Sequence, residues 1–350
     1  MPKWVGFSMF FLIFISVCLG GYYYILARLF SFFKLKQNLL FWLLLVVLAF
    51  GYIAFTMLDR KFPSTVWKPL LRLSALTLGI GWLCLIILLC HDILYLLFRF
   101  PVQTSRWFAV GAIALLSVYA FASTFWIQLK RLELPAPVNL KIVQLSDIHF
   151  GSVSRHHLKR LIKKTNALAP ELVLITGDLV DQPDCAAADA LALLNDLKAP
   201  AYWISGNHER YIGLARVMAA LKTTSVIPLR NEAVEVAGIQ LLGIDDSENP
   251  AQVSQILPAL RFDPDQFTIL IYHRPDGFDD AAKAGVDLML TGHTHDGQIW
   301  PFNHVVQSRF KYLKGLHQID NMTLWITTGS GTWGPPMRLG SRNQITVVNL

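Results

Sequence analysis

Leu140-Lys-Ile-Val-Gln-Leu-Ser-Asp147-Ile-His149 is a short aliphatic run that stops abruptly on an aspartate and a histidine. The same construction recurs downstream. Glu171-Leu-Val-Leu-Ile-Thr176 runs into Gly177-Asp178, Ala201-Tyr-Trp-Ile-Ser205 into Gly206-Asn207-His208, Phe267-Thr-Ile-Leu-Ile-Tyr272 into His273, and Val286-Asp-Leu-Met-Leu-Thr291 into Gly292-His293-Thr294-His295. Apolar runs of this length, bounded by Gly and polar residues, predict buried strands. The polar segments between them, such as 154–168 and 184–197, predict helices, so the C-terminal half reads as an α/β domain. Ligands of open α/β sheets gather beyond the carboxyl ends of the strands. Strand ends that each finish on a metal-competent side chain are therefore expected to converge on one crevice.

The donors in that crevice are hard carboxylate and amide oxygens mixed with imidazole nitrogens. Only Cys185 lies in this half of the chain, which excludes both a thiolate site and a disulfide framework. Such a donor set suits Mn, Fe, Zn or similar divalent ions. Asp147, His149, Asp178, Asn207, His273, His293 and His295 are too many for one ion; with one bridging carboxylate they supply two ions. His156, His157, His304 and His317 fall outside these windows and read as surface or core residues.

In this order Asp-x-His, Gly-Asp, Gly-Asn-His-Glu, a lone His and Gly-His-x-His resemble the calcineurin-like metallophosphoesterase family over roughly residues 140–350. The closing Gly331-Thr-Trp-Gly-Pro-Pro-Met-Arg-Leu-Gly340 further resembles its YkuE/YaeI-type branch, which includes membrane-anchored enzymes cleaving UDP-diacylglucosamine. The resemblance implies a four-layer α/β/β/α domain with two packed mixed sheets. It implies Asp147, His149 and His295 on one metal, Asn207, His273 and His293 on the other, and Asp178 bridging them. His208 is implied to stay unligated and to protonate the leaving oxygen in a two-metal hydrolysis that forms no covalent enzyme intermediate.

Around this set several roles stay open. Asp181 either orients a ligand or starts a turn, and Glu209 and Arg210 either contact substrate or belong to a solvated loop. Arg338 in the closing motif is a candidate substrate-binding residue, and Arg274 a weaker one, because a guanidinium fork suits a phosphate. Asp296 departs from the small residue common in the branch and adds a carboxylate beside His295. Lys159, Arg160, Lys163 and Lys164 share one arc of a helix opposite Leu158, Leu161 and Ile162. That arc is expected to be a solvated face, with anionic headgroups as its alternative partner.

The remainder of the chain is of another kind. Overall 53% of residues are apolar and 16% charged, and residues 1–135 hold twelve Lys and Arg but only Asp59, Asp92 and Glu133 as acids. Four uncharged stretches, 4–26, 39–58, 73–90 and 107–129, are each long enough to cross a hydrocarbon core of about 30 Å. They predict a multi-pass α-helical membrane domain over 1–133. A linker follows over 134–139, marked by Pro135 and Pro137, and the phosphoesterase domain occupies 140–350. A cleaved signal peptide fits poorly. Trp4, Tyr22, Tyr23, Tyr24, Trp107 and Trp126 fall where interfacial aromatics are favoured, and His91 and Asp92 read as a helix end in the headgroup layer rather than an intramembrane ion site.

Four spans put the N-terminus and the C-terminal half on one side. The loops on that side carry seven basic residues against five on the other, which predicts a cytoplasmic catalytic domain. Residues 136–350 hold 19 basic and 21 acidic side chains, so the high pI belongs to the membrane half and no nucleic-acid polymer is an expected partner. The expected function is a membrane-bound, dinuclear-metal phosphoesterase, cleaving a phosphodiester or pyrophosphate bond of a lipid- or nucleotide-linked substrate at the bilayer. The rival is a non-catalytic membrane scaffold or transporter-like protein with a metal-binding soluble domain.

Overall fold

The structure, a computed structural model, describes residues 3–62, 66–263 and 265–350, with side chains from residue 15 onward. The side chains of Lys3 and Trp4 thus lie outside the described residues. The chain divides into two compact units, Met1–Phe121 with Gly334–Met337, and Ala122–Trp333 with Arg338–Leu350.

The first unit is built on helices α1 (Lys3–Phe32), α2 (Leu39–Lys61), α3 (Trp67–Phe98) and α4 (Val102–Ser123). All four are long and apolar enough to cross a membrane. Large apolar side chains such as Val47, Leu97 and Phe108 are more than half exposed along them, as hydrocarbon-facing positions require. Asn38 starts α2 by accepting from the Leu40 N–H at 3.1 Å, which satisfies one of the first unpaired amides of the helix. His91 and Asp92 correct the sequence reading. The helix continues to Phe98, so the pair lies inside it. There Asp92 meets Arg28 at 2.5 Å and accepts from the Tyr24 hydroxyl at 2.8 Å, while His91 Nε2 lies 3.0 Å from Ser105 Oγ. Pairing removes the cost of an isolated charge, so the charged residues need not end the helix.

The second unit contains two six-stranded sheets. The first runs β1 (Ile127–Glu133), β12 (Asn343–Asn349), β2 (Lys141–Leu145), β3 (Leu172–Thr176), β4 (Ala201–Ile204), β5 (Val226–Pro228). The second runs β10 (Gly315–Ile319), β11 (Met322–Ile326), β9 (Leu288–Thr291), β8 (Thr268–Tyr272), β7 (Ile239–Ile244), β6 (Glu232–Val236). Both are mixed: β2 to β5 and β7, β8, β9, β11 pair in parallel, while β12 with β2, β6 with β7 and β10 with β11 are antiparallel.

Side-chain alternation assigns the layers. Ile142, Leu172, Leu174, Ile269, Ile271, Leu288 and Leu290 point between the sheets into one core. Their neighbours Val143, Leu145, Val173 and Ile175 pack on the other face with Leu158, Leu161 and Ile162 of helix α5 (Arg155–Ala167), and Leu270, Tyr272 and Met289 pack outward on the second sheet with Val253, Phe278 and Ala281. Strands covered on both faces explain why the sequence runs are almost wholly apolar. The result is the expected α/β/β/α order of layers. α5 is capped by Ser154, whose hydroxyl accepts from His157 N, and its Lys159, Lys163 and Lys164 are exposed.

The boundary between the halves differs from the sequence reading, which carried the fourth span to 129 and a linker to 139. Here α4 ends at Ser123, and 127–133 forms β1, in register with β12 from Ile127↔Asn343 to Glu133↔Asn349. Ile127 and Leu132 are buried against the sheet cores, so this apolar stretch serves a sheet edge. Because β1 pairs on one side only, hydrogen-exchange mass spectrometry should find alternate amides of 127–133 protected as slowly exchanging strand. Uniformly fast exchange across these residues would contradict the edge strand.

Candidate metal centre

The strand ends supply the site as their positions predict. Asp147 and His149 follow β2, Asp178 follows β3 and Asn207 follows β4 on one sheet, while His273 follows β8, and His293 and His295 follow β9 on the other. Beneath them Gln144 Nε2 donates to Thr176 Oγ1 at 2.9 Å and to the Thr291 carbonyl at 3.1 Å, tying the two sheets together just below the crevice. Five of the seven candidate ligands, Asp147, His149, Asp178, His293 and His295, adopt left-handed backbone angles with φ from 50 to 72°. Each costs roughly 1 kcal/mol or more for a residue with a Cβ. Such a cluster of unfavourable angles turns the chain sharply at each strand end and aims the side chains inward.

Two glycines explain their own places in the motifs. A Cβ on Gly206 would stand 2.2 Å from Asp178 Oδ1, and one on Gly292 would stand 2.1 Å from Ser146 Oγ and 2.2 Å from Asp147 Oδ2. Only a bare Cα lets the Asn207 and His293 turns close over the two carboxylates.

Two donor clusters result. His149 Nε2 and His295 Nε2 lie 2.9 Å apart, with Asp147 Oδ1 at 3.4 Å from the latter. His273 Nε2 and His293 Nδ1 lie 3.1 Å apart, with Asp178 Oδ2 at 3.1 Å from the former. Two nitrogens each about 2.1 Å from one ion at a right angle would stand about 3 Å apart, so both spacings fit neighbouring ligands of a divalent cation. Asp178 Oδ2 is also 3.8 Å from His149 Nε2, and so faces both clusters. Asn207 is buried, and its Oδ1 has no hydrogen-bond partner among the described residues, as a free metal donor would be.

The surrounding contacts select which atoms face inward. His273 Nδ1 donates to the Thr176 carbonyl at 2.9 Å and His149 Nδ1 donates to Asp181 at 2.6 Å, leaving the Nε2 lone pair of each ring for the site. Ser146 Oγ donates to Asp147 at 2.6 Å, and the backbone N–H of His208 donates to Asp178 Oδ1 at 2.9 Å. Asp181 also pairs with His208 Nδ1 at 2.7 Å and accepts from Ser152. Those separations are too short for an ion between Asp181 and the imidazoles, so this third His/Asp group is a hydrogen-bonded one. His208 Nε2 is left pointing toward Asp178, 3.9 Å from its Oδ2.

Electrostatics follow the burial. Desolvation disfavours every charge here, yet Asp178 and Asp181 outweigh it for His208 and hold its pKa up at about 9. Burial is likewise overcome at His273, raised to about 10 by Asp178 and Asp147. Burial and the neighbouring His273 press His293 well below the usual imidazole range, and burial with His149 does the same to His295. Asp178, despite burial, is held well below the carboxylate range by His273 and His208.

Several side chains have other work than their sequence positions suggest. Arg338 is fully buried, so it offers no surface to a substrate phosphate. Its Nη2 lies 3.0 Å from His295 Nδ1 and donates to the carbonyls of Thr328 at 2.8 Å and Gly331 at 2.5 Å, bracing the closing motif against a ligand turn. Arg274 and Arg210 are both drawn to Asp246, at 2.6 and 3.0 Å. The Asp296 carboxylate is paired with Lys314. Glu209 is completely buried, and accepts from the N–H groups of Asp178, Leu179, Val180 and Gly206 at 2.7 to 3.1 Å. It locks the Asp178 loop to the Asn207 turn. Its place three residues after Gly206 at a helix start is the signal that could have found it.

A family profile described as calcineurin-like phosphoesterase matches residues 140–297. An uncharacterized metallophosphoesterase of Helicobacter pylori is 34% identical over 220 residues, covering 60% of this chain and 60% of the relative. A bovine transmembrane protein with metallophosphoesterase domain is 35% identical over 240 residues, 61% of this chain and 54% of the relative. An uncharacterized metallophosphoesterase of Aquifex aeolicus is 30% identical over 253 residues, 67% of this chain and 96% of the relative. The chain thus spans about 60% of the length of the first curated relatives it matches, and the Aquifex protein is matched almost from end to end. With the ordered motifs gathered on two packed mixed sheets, these likenesses place the chain in the calcineurin-like phosphoesterase family.

Proposed function

We propose that the protein is a membrane-bound, dinuclear-metal-dependent phosphoester hydrolase. The observation that carries the reading is the pair of His/Asp clusters facing one buried carboxylate, Asp178, with a hydrogen-bonded but unligated His208 beside it. Asp147, His149 and His295 would hold one cation, Asn207, His273 and His293 the other, and Asp178 would join both. Divalent ions in that position supply charge stabilisation at the phosphoryl oxygens and an acidified water.

The chain's own groups do the rest. Asp181 fixes the His208 ring through Nδ1 and keeps Nε2 free. His208 Nε2 then donates a proton to the leaving oxygen as the phosphorus–oxygen bond breaks. Glu209, by joining the Asp178 and Asn207 loops, keeps ligand and proton donor in register. The buried walls exclude bulk water and strengthen every charge contact.

Phosphodiester or pyrophosphate cleavage of a lipid- or nucleotide-linked substrate, as in the YkuE/YaeI-type branch, is the specific form we favour. Helices able to cross a membrane and the likeness to a transmembrane relative support a reaction at the bilayer. We place the hydrolase half on the cytoplasmic side from the loop charges.

Two outcomes follow. Full-length protein in lipid should hydrolyse bis(4-nitrophenyl) phosphate or UDP-diacylglucosamine, lose this activity to a chelator and regain it with Mn; a phosphoester panel without any metal-restored turnover would leave the scaffold reading. Elemental analysis should find that Asp178→Ala loses both ions, whereas His208→Ala keeps them and loses about 10²- to 10⁴-fold in kcat. Full metal content in Asp178→Ala would remove it as the bridge.

A further inference from the structure

Resting on the hydrolase reading, we infer that Tyr211 and Trp333 form a leaving-group subsite beside His208, shaped for an alcohol whose oxygen is joined to an apolar body. The His208 ring is enclosed on its inner side by His149, at 4.7 Å between centroids. Two further rings reach it: Tyr211 at 5.5 Å with 59° between planes, and Trp333 at 5.9 Å with 76°. Both are about half exposed, at 49% and 47%, while the His208 side chain is only 12% exposed. The proton donor is therefore reached past aromatic surface.

Neither ring is on a loose segment. Tyr211 stands one helical turn after Asn207 in the Asn207–Ile212 helix. Trp333 is gripped through its backbone by Gln298, which accepts from the Trp333 N–H at 3.0 Å and donates to its carbonyl at 2.9 Å. Gln298 is itself buried, three residues beyond His295. Both aromatics are thus fixed by the segments that carry candidate ligands.

Their chemistry selects the occupant. Aromatic area left in water is stabilised when apolar surface covers it. The arginines nearest in sequence to the site histidines, Arg210 and Arg274, are already engaged by Asp246, so the aromatics, rather than free cations, are what His208 offers a leaving group. In the reaction, water gives one proton to solvent as its oxygen bonds to phosphorus, the bond from phosphorus to the leaving oxygen breaks, and that oxygen takes the His208 proton, which solvent then replaces. The group departing between Tyr211 and Trp333 is then a neutral alcohol with an apolar or ring-bearing body, which narrows the proposed phosphodiester or pyrophosphate cleavage to its phosphodiester form.

The test uses full-length protein in lipid with Mn and two diesters that retain the same methyl group, methyl phenyl phosphate and methyl 2,2,2-trifluoroethyl phosphate. Methyl phosphate release gives kcat/KM for each, and elemental analysis gives the metal content. Trp333→Ala and Tyr211→Ala should each lower the phenyl-to-trifluoroethyl selectivity by about tenfold, the order expected of lost aromatic contact and burial, with metal content unchanged. Trp333→Phe should restore most of it. An unchanged selectivity, or equal losses on both esters, would overturn the subsite while leaving the hydrolase reading intact. Wild-type protein that cleaves neither ester, nor any member of a wider phosphoester panel, would overturn both.

Discussion

Asp178 is a carboxylate placed where a carboxylate is expensive. It is almost wholly buried at the meeting point of two sheets, and a buried charge persists only when it is paired and hydrogen-bonded. Three imidazoles, from His149, His208 and His273, lie within 3.9 Å of its Oδ2, while the backbone N–H of His208 holds Oδ1. The rest of the unit is arranged to satisfy that charge. Glycine at 206 permits the close approach, Glu209 holds the loop through four backbone amides, and Asp181 aligns the imidazoles. Divalent cations between the two clusters would complete the compensation.

This constraint explains why two sheets are needed. One sheet end could present Asp147, His149, Asp178 and Asn207, but the opposing imidazoles come from β8 and β9. The inter-sheet core of Ile142, Leu174, Ile269 and Leu290, with Gln144 crossing at its upper edge, sets the distance between the donor groups. Packing that resists changes of even one methylene transmits that distance rigidly.

Much of this was legible in the sequence because strand and ligand signals coincide: an apolar run ending on Asp or His encodes both burial and direction. The convergence of the strand ends followed from these signals, whereas the four layers and the sharing of ligands between two ions were implied by the family resemblance. Roles that depend on three-dimensional company did not. Arg338 has the residue type of a phosphate binder, yet carbonyls of Thr328 and Gly331 and the ring of His295 surround it. Glu209 looks like a loop residue until the four amides around it are seen. Hydropathy also could not separate a lipid-facing helix from an edge strand at 127–129, since Ile127 and Leu129 suit either; pairing with β12 decides it. That the helix runs on past His91 and Asp92 is not legible for a similar reason, because Arg28 and Tyr24 lie more than sixty residues away in sequence.

In the proposed centre two cations would share the Asp178 carboxylate. Electron paramagnetic resonance of the full-length protein loaded stepwise with Mn addresses this directly. Two ions joined by that carboxylate should give the multiline signal of an exchange-coupled pair as the second equivalent binds, and Asp178→Asn should weaken or abolish it. A spectrum that remains that of isolated Mn ions at every loading would contradict the shared site.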